Sequence, residues 1–204
     1  SREDSDSVIK VIDIDKSIKA LSDITRHTSE NRSILSGNAK FMAFRVCHEL
    51  ISLYQMHAVE DALVPTLKSW SLNSDGSELK IVMKKIDGET LSNFLKNNTL
   101  SLGQRKEIFL NTQSFVEKMH LAGSYHRDIR QENIIVNKNL RIGIVDYGSS
   151  VSPQLRLEND DKFVETPSGR LASMYTNAET PKDKAIEADE IALEALEKTL
   201  MSEI

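Results

Sequence analysis

The sequence predicts an α+β fold in which a small antiparallel β-sheet lobe with one helix is followed by a mainly helical lobe. Short β-branched runs alternate with polar turns up to about residue 86, a pattern typical of a sheet. The pair Asp87-Gly88 is typical of a linker, and the longest amphipathic pattern lies after it. We therefore predict one domain over residues 1–204, with a first lobe at about 1–85, a hinge at about 84–88 and a second lobe at about 89–204.

The first lobe is predicted to hold short strands and one longer helix, because turn residues such as Gly37-Asn38 separate its β-type runs. Its predicted elements are an extended run from Val8 to Ile14, a short helix or a strand from Asp15 to Leu21, strands from Arg32 to Ser36 and from Lys40 to Val46, a helix from Cys47 to about Asp61, and strands from Thr66 to Leu72 and from Leu79 to Ile86.

In the second lobe, apolar residues recur at helical spacing, and one long helix places Ile108, Phe115 and Met119 on a single face. The predicted elements are helices from about Thr90 to Asn97, from Leu102 to Leu121 and from Ala185 to Met201, and strands from Ile134 to Val136 and from Ile142 to Val145. Residues 149–180 are polar and are predicted to be irregular.

Composition excludes several classes of protein. The net charge of −5 argues against a general nucleic-acid-binding surface, and no apolar run approaches the ~18 residues of a membrane span. Cys47 is the only cysteine, so an internal disulfide and a cysteine-based zinc site are excluded. None of the 5 histidines forms a metal-binding HxH or HExxH pair.

One stretch of the second lobe carries recognisable chemistry. The run from Tyr125 to Asn133 contains the pattern H-R-D-x-x-x-x-N, and Asp146-Tyr147-Gly148 begins 13 positions after Asn133. That interval fits one short hairpin, which would bring Asn133 and Asp146 together. Oxygen ligands of this kind hold Mg²⁺ on phosphates, while a separate carboxylate, Asp128, can accept the proton of an incoming hydroxyl.

These motifs resemble the catalytic loop and the D-F-G motif of protein kinases. The resemblance implies an enzyme that uses ATP and Mg²⁺, with Asp128 and Arg130 at the catalytic site and Asn133 and Asp146 as metal ligands. It further implies that Met83 is the gatekeeper and that the hinge backbone at Lys84 and Ile86 binds adenine. Arg130 stands where serine/threonine kinases usually carry a phosphate-contacting lysine, and Asp189 either holds the catalytic-loop backbone or is a plain solvated carboxylate.

The first lobe departs from the kinase pattern. Arg45 stands where the strand motif V-A-I-K has its phosphate-binding lysine, with Lys40 as a possible substitute. Glu49 resembles the helix glutamate that pairs with this cation, and Glu60 is the weaker candidate. The segment expected to cover the phosphates, residues 27–32, contains no glycine. Only 15 residues follow Asp189, so we expect a truncated second lobe.

As a whole, the chain is most similar to minimal bacterial effector kinases, and among these to the HopBF family of type III secreted effectors. That resemblance implies a monomeric serine/threonine kinase that is secreted into the host cytoplasm as a virulence factor. It also implies phosphorylation of a host protein, the ninety-kilodalton heat-shock chaperone, which suppresses host immunity. The alternatives are an effector kinase activated by another host protein, a small-molecule phosphotransferase of the aminoglycoside type, and a pseudokinase that binds nucleotide without turnover.

Overall fold

The computed structural model describes residues 6–17, 19, 45–60, 63–152 and 181–202. Within that part of the chain the architecture is α+β, with a three-stranded antiparallel sheet in the first lobe and a second three-stranded sheet, of shorter strands, in the second lobe. The predicted strand from Arg32 to Ser36 and most of the one from Lys40 to Val46 lie outside the described residues.

The first sheet has the strand order β1-β3-β2, formed by β1 (Ser7–Asp13), β2 (Leu67–Leu72) and β3 (Glu78–Lys84). β1 therefore lies beside β3, with Lys10 opposite Ile81. Side chains alternate between the two faces of a strand, so Lys10 shares a face with the buried Leu79 and Ile81. This register directs the Lys10 side chain toward the cleft between the lobes.

Two helical segments accompany this sheet. A helical turn at residues 14–17 begins after Asp13, whose carboxylate accepts the backbone N–H of Lys16 at 2.8 Å. The helical turn thus begins just before Asp15, where the sequence predicted a short helix or a strand to start. Helix α1 occupies residues 45–55 and continues into a 3₁₀ turn, Met56–Ala58. The prediction that the strand from Lys40 extends to Val46 is wrong at its end, because Arg45 and Val46 are helical residues of α1.

The second lobe contains α2 (Leu91–Asn97), α3 (Leu102–Leu121) and α4 (Pro181–Ser202), together with a second sheet. That sheet joins β4 (Glu89–Thr90), β5 (Ile134–Val136) and β6 (Ile142–Ile144) in chain order. Strand β4 was not predicted, since two residues carry no periodicity.

Helix α3 begins and ends as predicted. Ser101 and Gln104 form a capping box at its start, which satisfies backbone N–H groups that the first turn leaves without partners. The predicted apolar face is the buried one: it consists of Ile108, Thr112, Phe115, Val116 and Met119. Helix α4 packs against α3, and its Leu196 and Leu200 join the same hydrophobic core.

Two glycines allow the lobes to meet closely. At Gly88, with φ of 144°, an added Cβ would lie 2.5 Å from the carbonyl oxygen of Val136. At Gly143, on β6, it would lie 2.4 Å from the carbonyl oxygen of Leu63 and 2.8 Å from Cδ1 of Ile86. The segment that connects the lobes therefore rests directly on the second sheet.

Candidate active site

The loop between α3 and β5 fixes a carboxylate at the cleft. The Asn133 side-chain amide donates hydrogen bonds to both the backbone carbonyl and the carboxylate of Asp128, each at 2.9 Å. The guanidinium of Arg130 lies 3.4 Å from the same carboxylate. The Asp128 side chain remains 40% exposed, so it is held in place yet open to an incoming substrate.

A buried aspartate fixes the backbone of this loop. Asp189, on α4, is fully buried and accepts the backbone N–H groups of His126 at 2.9 Å and Arg127 at 2.6 Å. It also accepts a hydrogen bond from His120 at 2.8 Å. Of the two readings left open by the sequence, the structural one is confirmed, because this carboxylate is not solvated and holds the catalytic-loop backbone.

His126 connects the loop to the strand that precedes Asp146. Its Nδ1 accepts the Asp128 N–H at 3.3 Å, and its Nε2 donates to the carbonyl of Val145 at 3.0 Å. Its ring also packs edge-on against Tyr147, with 4.9 Å between centroids. Since Nδ1 accepts and Nε2 donates, these two hydrogen bonds place a ring proton on Nε2.

Asn133 and Asp146 are neighbours through the backbone. Val145 donates its N–H to the Asn133 carbonyl at 2.9 Å, and the next residue, Asp146, adopts a left-handed conformation with φ of 65°. Such a conformation is uncommon for a residue other than glycine and is found preferentially at functional sites. The predicted hairpin, β5 and β6, is therefore confirmed as the element that brings the two residues together.

Lys10 completes the site, and the sequence did not identify it. Its ammonium nitrogen lies 2.6 Å from Glu49 Oε1 and 2.8 Å from Asp146 Oδ1. Burial alone would lower the pKa of Lys10, but the two carboxylates raise it above its ordinary value. Burial would likewise raise the pKa of Asp146, yet Lys10 keeps it below its ordinary value. Lys10 and Asp146 are therefore both charged at neutral pH.

Arg45 lies elsewhere than predicted. It is on helix α1 rather than on a sheet strand, and its Nε donates to the Gly148 carbonyl at 2.7 Å. The sheet residue that pairs with Glu49 is Lys10. Arg45 still borders a cavity of about 450 Å³ that Lys10, Glu49 and Gly148 also line, so it contributes positive charge near the site without occupying the expected strand position.

The other residues predicted for the nucleotide site lie in several parts of the chain. Met83 and Lys84 end β3, and the Lys84 N–H donates to the Thr66 carbonyl at 2.9 Å. Ile86 packs over Gly143 in the connection between the lobes. Glu60 is exposed, whereas Glu49 is 3% exposed. Lys40 and the segment 27–32 lie outside the described residues.

The chain matches a known protein family. The family model described as "Protein kinase domain" matches residues 42–168, which is more than half of the chain. The chain belongs to the protein kinase family. Protein kinases pair a lysine on a sheet strand with a glutamate on a helix, and Lys10 and Glu49 form that pair here.

The curated relatives include serine/threonine-protein kinases from several kingdoms. The chain is 31% identical over 103 residues to shk1/pak1 of Schizosaccharomyces pombe, which covers 50% of this chain and 16% of that protein. It is 29% identical over 150 residues to CBL-interacting serine/threonine-protein kinase 19 of Arabidopsis thaliana, which covers 72% of this chain and 26% of that protein. It is 26% identical over 157 residues to PknD of Chlamydia felis, which covers 71% of this chain and 16% of that protein. The chain thus spans about a quarter or less of the length of these kinases.

A signal for Lys10 was present in the sequence. Val8-Ile9-Lys10 ends like the kinase motif V-A-I-K, but Met42-Ala43-Phe44-Arg45 resembles the same motif and lies much nearer to Glu49. The structure resolves the ambiguity, because Lys10 lies on β1, which is paired with β3, whereas Arg45 lies in α1.

Proposed function

We propose that this chain is a serine/threonine protein kinase that transfers the γ-phosphoryl group of ATP to a protein hydroxyl. The observation that supports it most strongly is the convergence of Asp128, Asn133 and Asp146 with the Lys10–Glu49 pair at one cleft. Phosphoryl transfer depends mainly on positioning and charge neutralisation, and this arrangement supplies both.

Each residue of the chain has a defined task in this proposal. Asp128 accepts the proton of the substrate hydroxyl and holds it in line, while Asn133 keeps the carboxylate oriented. Glu49 fixes Lys10, whose ammonium group then contacts the nucleotide phosphates. Arg130 adds positive charge beside Asp128, where the transferred phosphoryl group passes.

The donor set also fits magnesium. Asn133 and Asp146 provide an amide and a carboxylate oxygen, which are ligands that Mg²⁺ accepts, and bound Mg²⁺ would neutralise phosphate charge there. Among the described residues no group of three or more His, Cys, Asp or Glu side chains could hold a metal alone. This agrees with a cation that binds mainly together with phosphates, since Mg²⁺ commonly uses only one or two protein carboxylates.

Hinge binding of the nucleotide is part of the same proposal. Met83 and Lys84 are the last two residues of β3, and Ile86 lies in the connection between the lobes. Adenine would bind to backbone groups at these two positions, as the kinase resemblance implies.

The direct test is incubation of the purified chain with γ-labelled ATP, Mg²⁺ and a mixture of acceptor proteins, followed by phosphoamino-acid analysis. We expect phosphoserine and phosphothreonine, and loss of the signal when EDTA removes Mg²⁺. Labelled phosphotyrosine alone, or phosphorylated aminoglycosides with unlabelled proteins, would contradict the proposal. Bound nucleotide without any transfer would identify a pseudokinase instead.

We also propose a more specific setting, which rests on the resemblance to HopBF-type effectors. In this setting the chain is a monomeric bacterial effector that enters the host cytoplasm and phosphorylates the ninety-kilodalton heat-shock chaperone to suppress immunity. Its match to a bacterial kinase, PknD of Chlamydia felis, is compatible with such a source. In the described part of the chain no helix is both long and apolar enough to cross a membrane.

The effector proposal has its own experiment. The purified chain is incubated with host lysate and labelled ATP, and the labelled bands are identified by mass spectrometry, with purified chaperone as a second substrate. Labelling of the chaperone in both samples supports the proposal. Labelling only in lysate indicates a host activator, and an unlabelled chaperone in both samples contradicts the proposed substrate.

A further inference from the structure

Helix α1 makes polar contacts with the segment that follows Asp146, far away in sequence. The backbone N–H of Ser152 donates to Nδ1 of His48 at 2.8 Å, across 104 positions. The Gln55 side-chain amide donates to the Ser152 hydroxyl at 3.0 Å, across 97 positions. We refer to His48, Gln55 and Ser152 as the α1 latch.

The latch is next to Glu49 on the same helix. His48 and Gln55 are seven positions apart, which places them on one face after about two turns, and Glu49 directly follows His48. All three latch residues are buried, with exposures of 2% for His48, 8% for Gln55 and 1% for Ser152. Because they are shielded from water, loss of one hydrogen-bonding partner leaves a buried polar group unsatisfied.

His48 acts in the latch as a hydrogen-bond acceptor. An N–H group can only donate, so Nδ1 must be unprotonated to bind the Ser152 N–H. Burial, and after it the charge of Arg127, lower the pKa of His48 to about 4. The imidazole is therefore neutral at physiological pH, and the acceptor is permanently available.

The other end of the latch is fixed to the catalytic loop. Val151, just before Ser152, forms two backbone hydrogen bonds with Tyr125, at 2.9 and 3.1 Å. Tyr125 directly precedes His126, and the backbone N–H of His126 is held by Asp189. The latch therefore sets the position of α1 relative to the same loop that carries Asp128.

We propose that His48, together with Gln55 and Ser152, is a positioning residue that keeps Glu49 within reach of Lys10 and thereby sets the nucleotide-binding geometry. The inference rests on the proposed kinase function for its consequence, but the pairing of Lys10 with Glu49 can be tested without catalysis. If the latch is broken, α1 turns or shifts, and the Lys10 ammonium group loses one of its two carboxylate partners.

The first experiment measures how fast Lys10 reacts with acetic anhydride, with mass spectrometry to quantify acetylated Lys10. The variants are His48→Leu, which removes the acceptor, and His48→Asn, whose amide oxygen takes the place of Nδ1. Lys16, which is exposed, provides an internal reference in the same samples. We expect His48→Leu to raise the Lys10 rate, relative to Lys16, by about fivefold or more, and His48→Asn to stay within about twofold of the wild type.

Equal acetylation rates of Lys10 in folded His48→Leu and in the wild type would overturn the proposal. Equal acetylation rates of Lys10 in His48→Asn and His48→Leu would overturn it as well. If His48→Leu does not fold, Gln55→Leu and Ser152→Ala are used instead, since each removes only the second hydrogen bond of the latch. They should raise the rate less, by about twofold, and no increase in either variant would overturn the proposal.

The second experiment is a kinetic double-mutant cycle with Glu49→Gln. If the latch acts through Glu49, His48→Leu lowers kcat/KM for Mg-ATP about tenfold or more in the wild type but less than twofold in Glu49→Gln. A purely structural role would lower it equally in both backgrounds and contradict the proposal. A wild-type chain without phosphoryl transfer would refute the kinase function, while the acetylation rates would still decide the latch.

Discussion

At the scale of single residues, the Lys10 ammonium group lies between the carboxylates of Glu49 and Asp146. Glu49 is almost completely buried, while half of the Asp146 side chain is exposed. One carboxylate thus serves as an anchor and the other faces the cleft. A lysine held in this way presents its positive charge to phosphates without a further loss of side-chain freedom.

Replacing Lys10 tests this arrangement. We expect Lys10→Met to lower kcat/KM for Mg-ATP by at least about 100-fold, the usual effect of removing one preorganised donor. Lys16→Met is the matched control, because Lys16 is 86% exposed and pairs with Asp13 on the surface; its kcat/KM should stay within about twofold. The measurement is steady-state kinetics below the melting temperature. The assignment is contradicted if both variants keep the wild-type kcat/KM for Mg-ATP.

Tyr147 stands where the kinase motif usually has phenylalanine, and it is 1% exposed. No described residue forms a hydrogen bond with its hydroxyl group, and a buried hydroxyl without a partner costs about 1–3 kcal/mol. We therefore expect Tyr147→Phe to raise the free energy of unfolding by about 1 kcal/mol, measured by urea denaturation. A less stable variant would show that the hydroxyl is satisfied in solution.

The low pKa of His48 predicts a dependence of stability on pH. The folded protein keeps His48 neutral down to about pH 4, whereas the unfolded chain binds a proton below about pH 6.5. Since the unfolded state then holds more protons, the free energy of unfolding falls as pH decreases from 6.5 to 4, by up to about 3 kcal/mol. In His48→Asn this fall should be smaller, and an identical pH profile in both proteins would contradict the assignment.

At the scale of elements, the hairpin of β5 and β6 carries the metal-binding candidates and also supports the connection between the lobes. Asn133 directly precedes β5, and one residue, Val145, separates β6 from Asp146. Gly143 in β6 allows Leu63 and Ile86 to approach the hairpin. The absence of a side chain at this position therefore contributes to the closeness of the two lobes.

Gly143→Ala tests this contact. The added Cβ would lie 2.4 Å from the Leu63 carbonyl oxygen, a backbone atom that cannot rotate away. We expect the free energy of unfolding to fall by about 1–3 kcal/mol, as in other overpacked sites. Gly103→Ala, in α3, is the control: its Cβ would meet nothing closer than 3.8 Å, and alanine favours the helix. Comparable urea midpoints for wild type and Gly143→Ala would refute the close contact.

Elements with local signals could be predicted from the sequence. Both ends of helix α3 were predicted correctly, because its buried apolar residues recur every three or four positions and are therefore a local signal. Asp128, Asn133 and Asp146 were found because one short loop and one hairpin set their spacing. The pairing of Lys10 with Glu49 depends instead on the β1–β3 register and on where α1 packs. Ser152 and His48 are 104 positions apart, and no local pattern encodes such a contact.

At the scale of the whole molecule, α1 relates the two lobes to each other. Glu49 connects it to β1 of the first lobe, and His48 connects it to Ser152 beside the catalytic loop. Asp189 then fixes that loop to α4. The positive charge proposed to bind nucleotide and the carboxylate proposed to accept a proton are thereby held in a fixed arrangement, although the net charge of the chain is −5.

The central claim is that Asp128 is the catalytic base of a kinase, and the rate of γ-phosphoryl transfer in Asp128→Asn tests it most directly. The variant keeps the size of the side chain and removes its basicity, with Asp75→Asn as the matched exchange in the exposed turn before β3. Single-turnover transfer from labelled Mg-ATP should slow by roughly 10²–10⁴-fold in Asp128→Asn and stay near wild type in Asp75→Asn. Near-wild-type transfer by Asp128→Asn would contradict the claim.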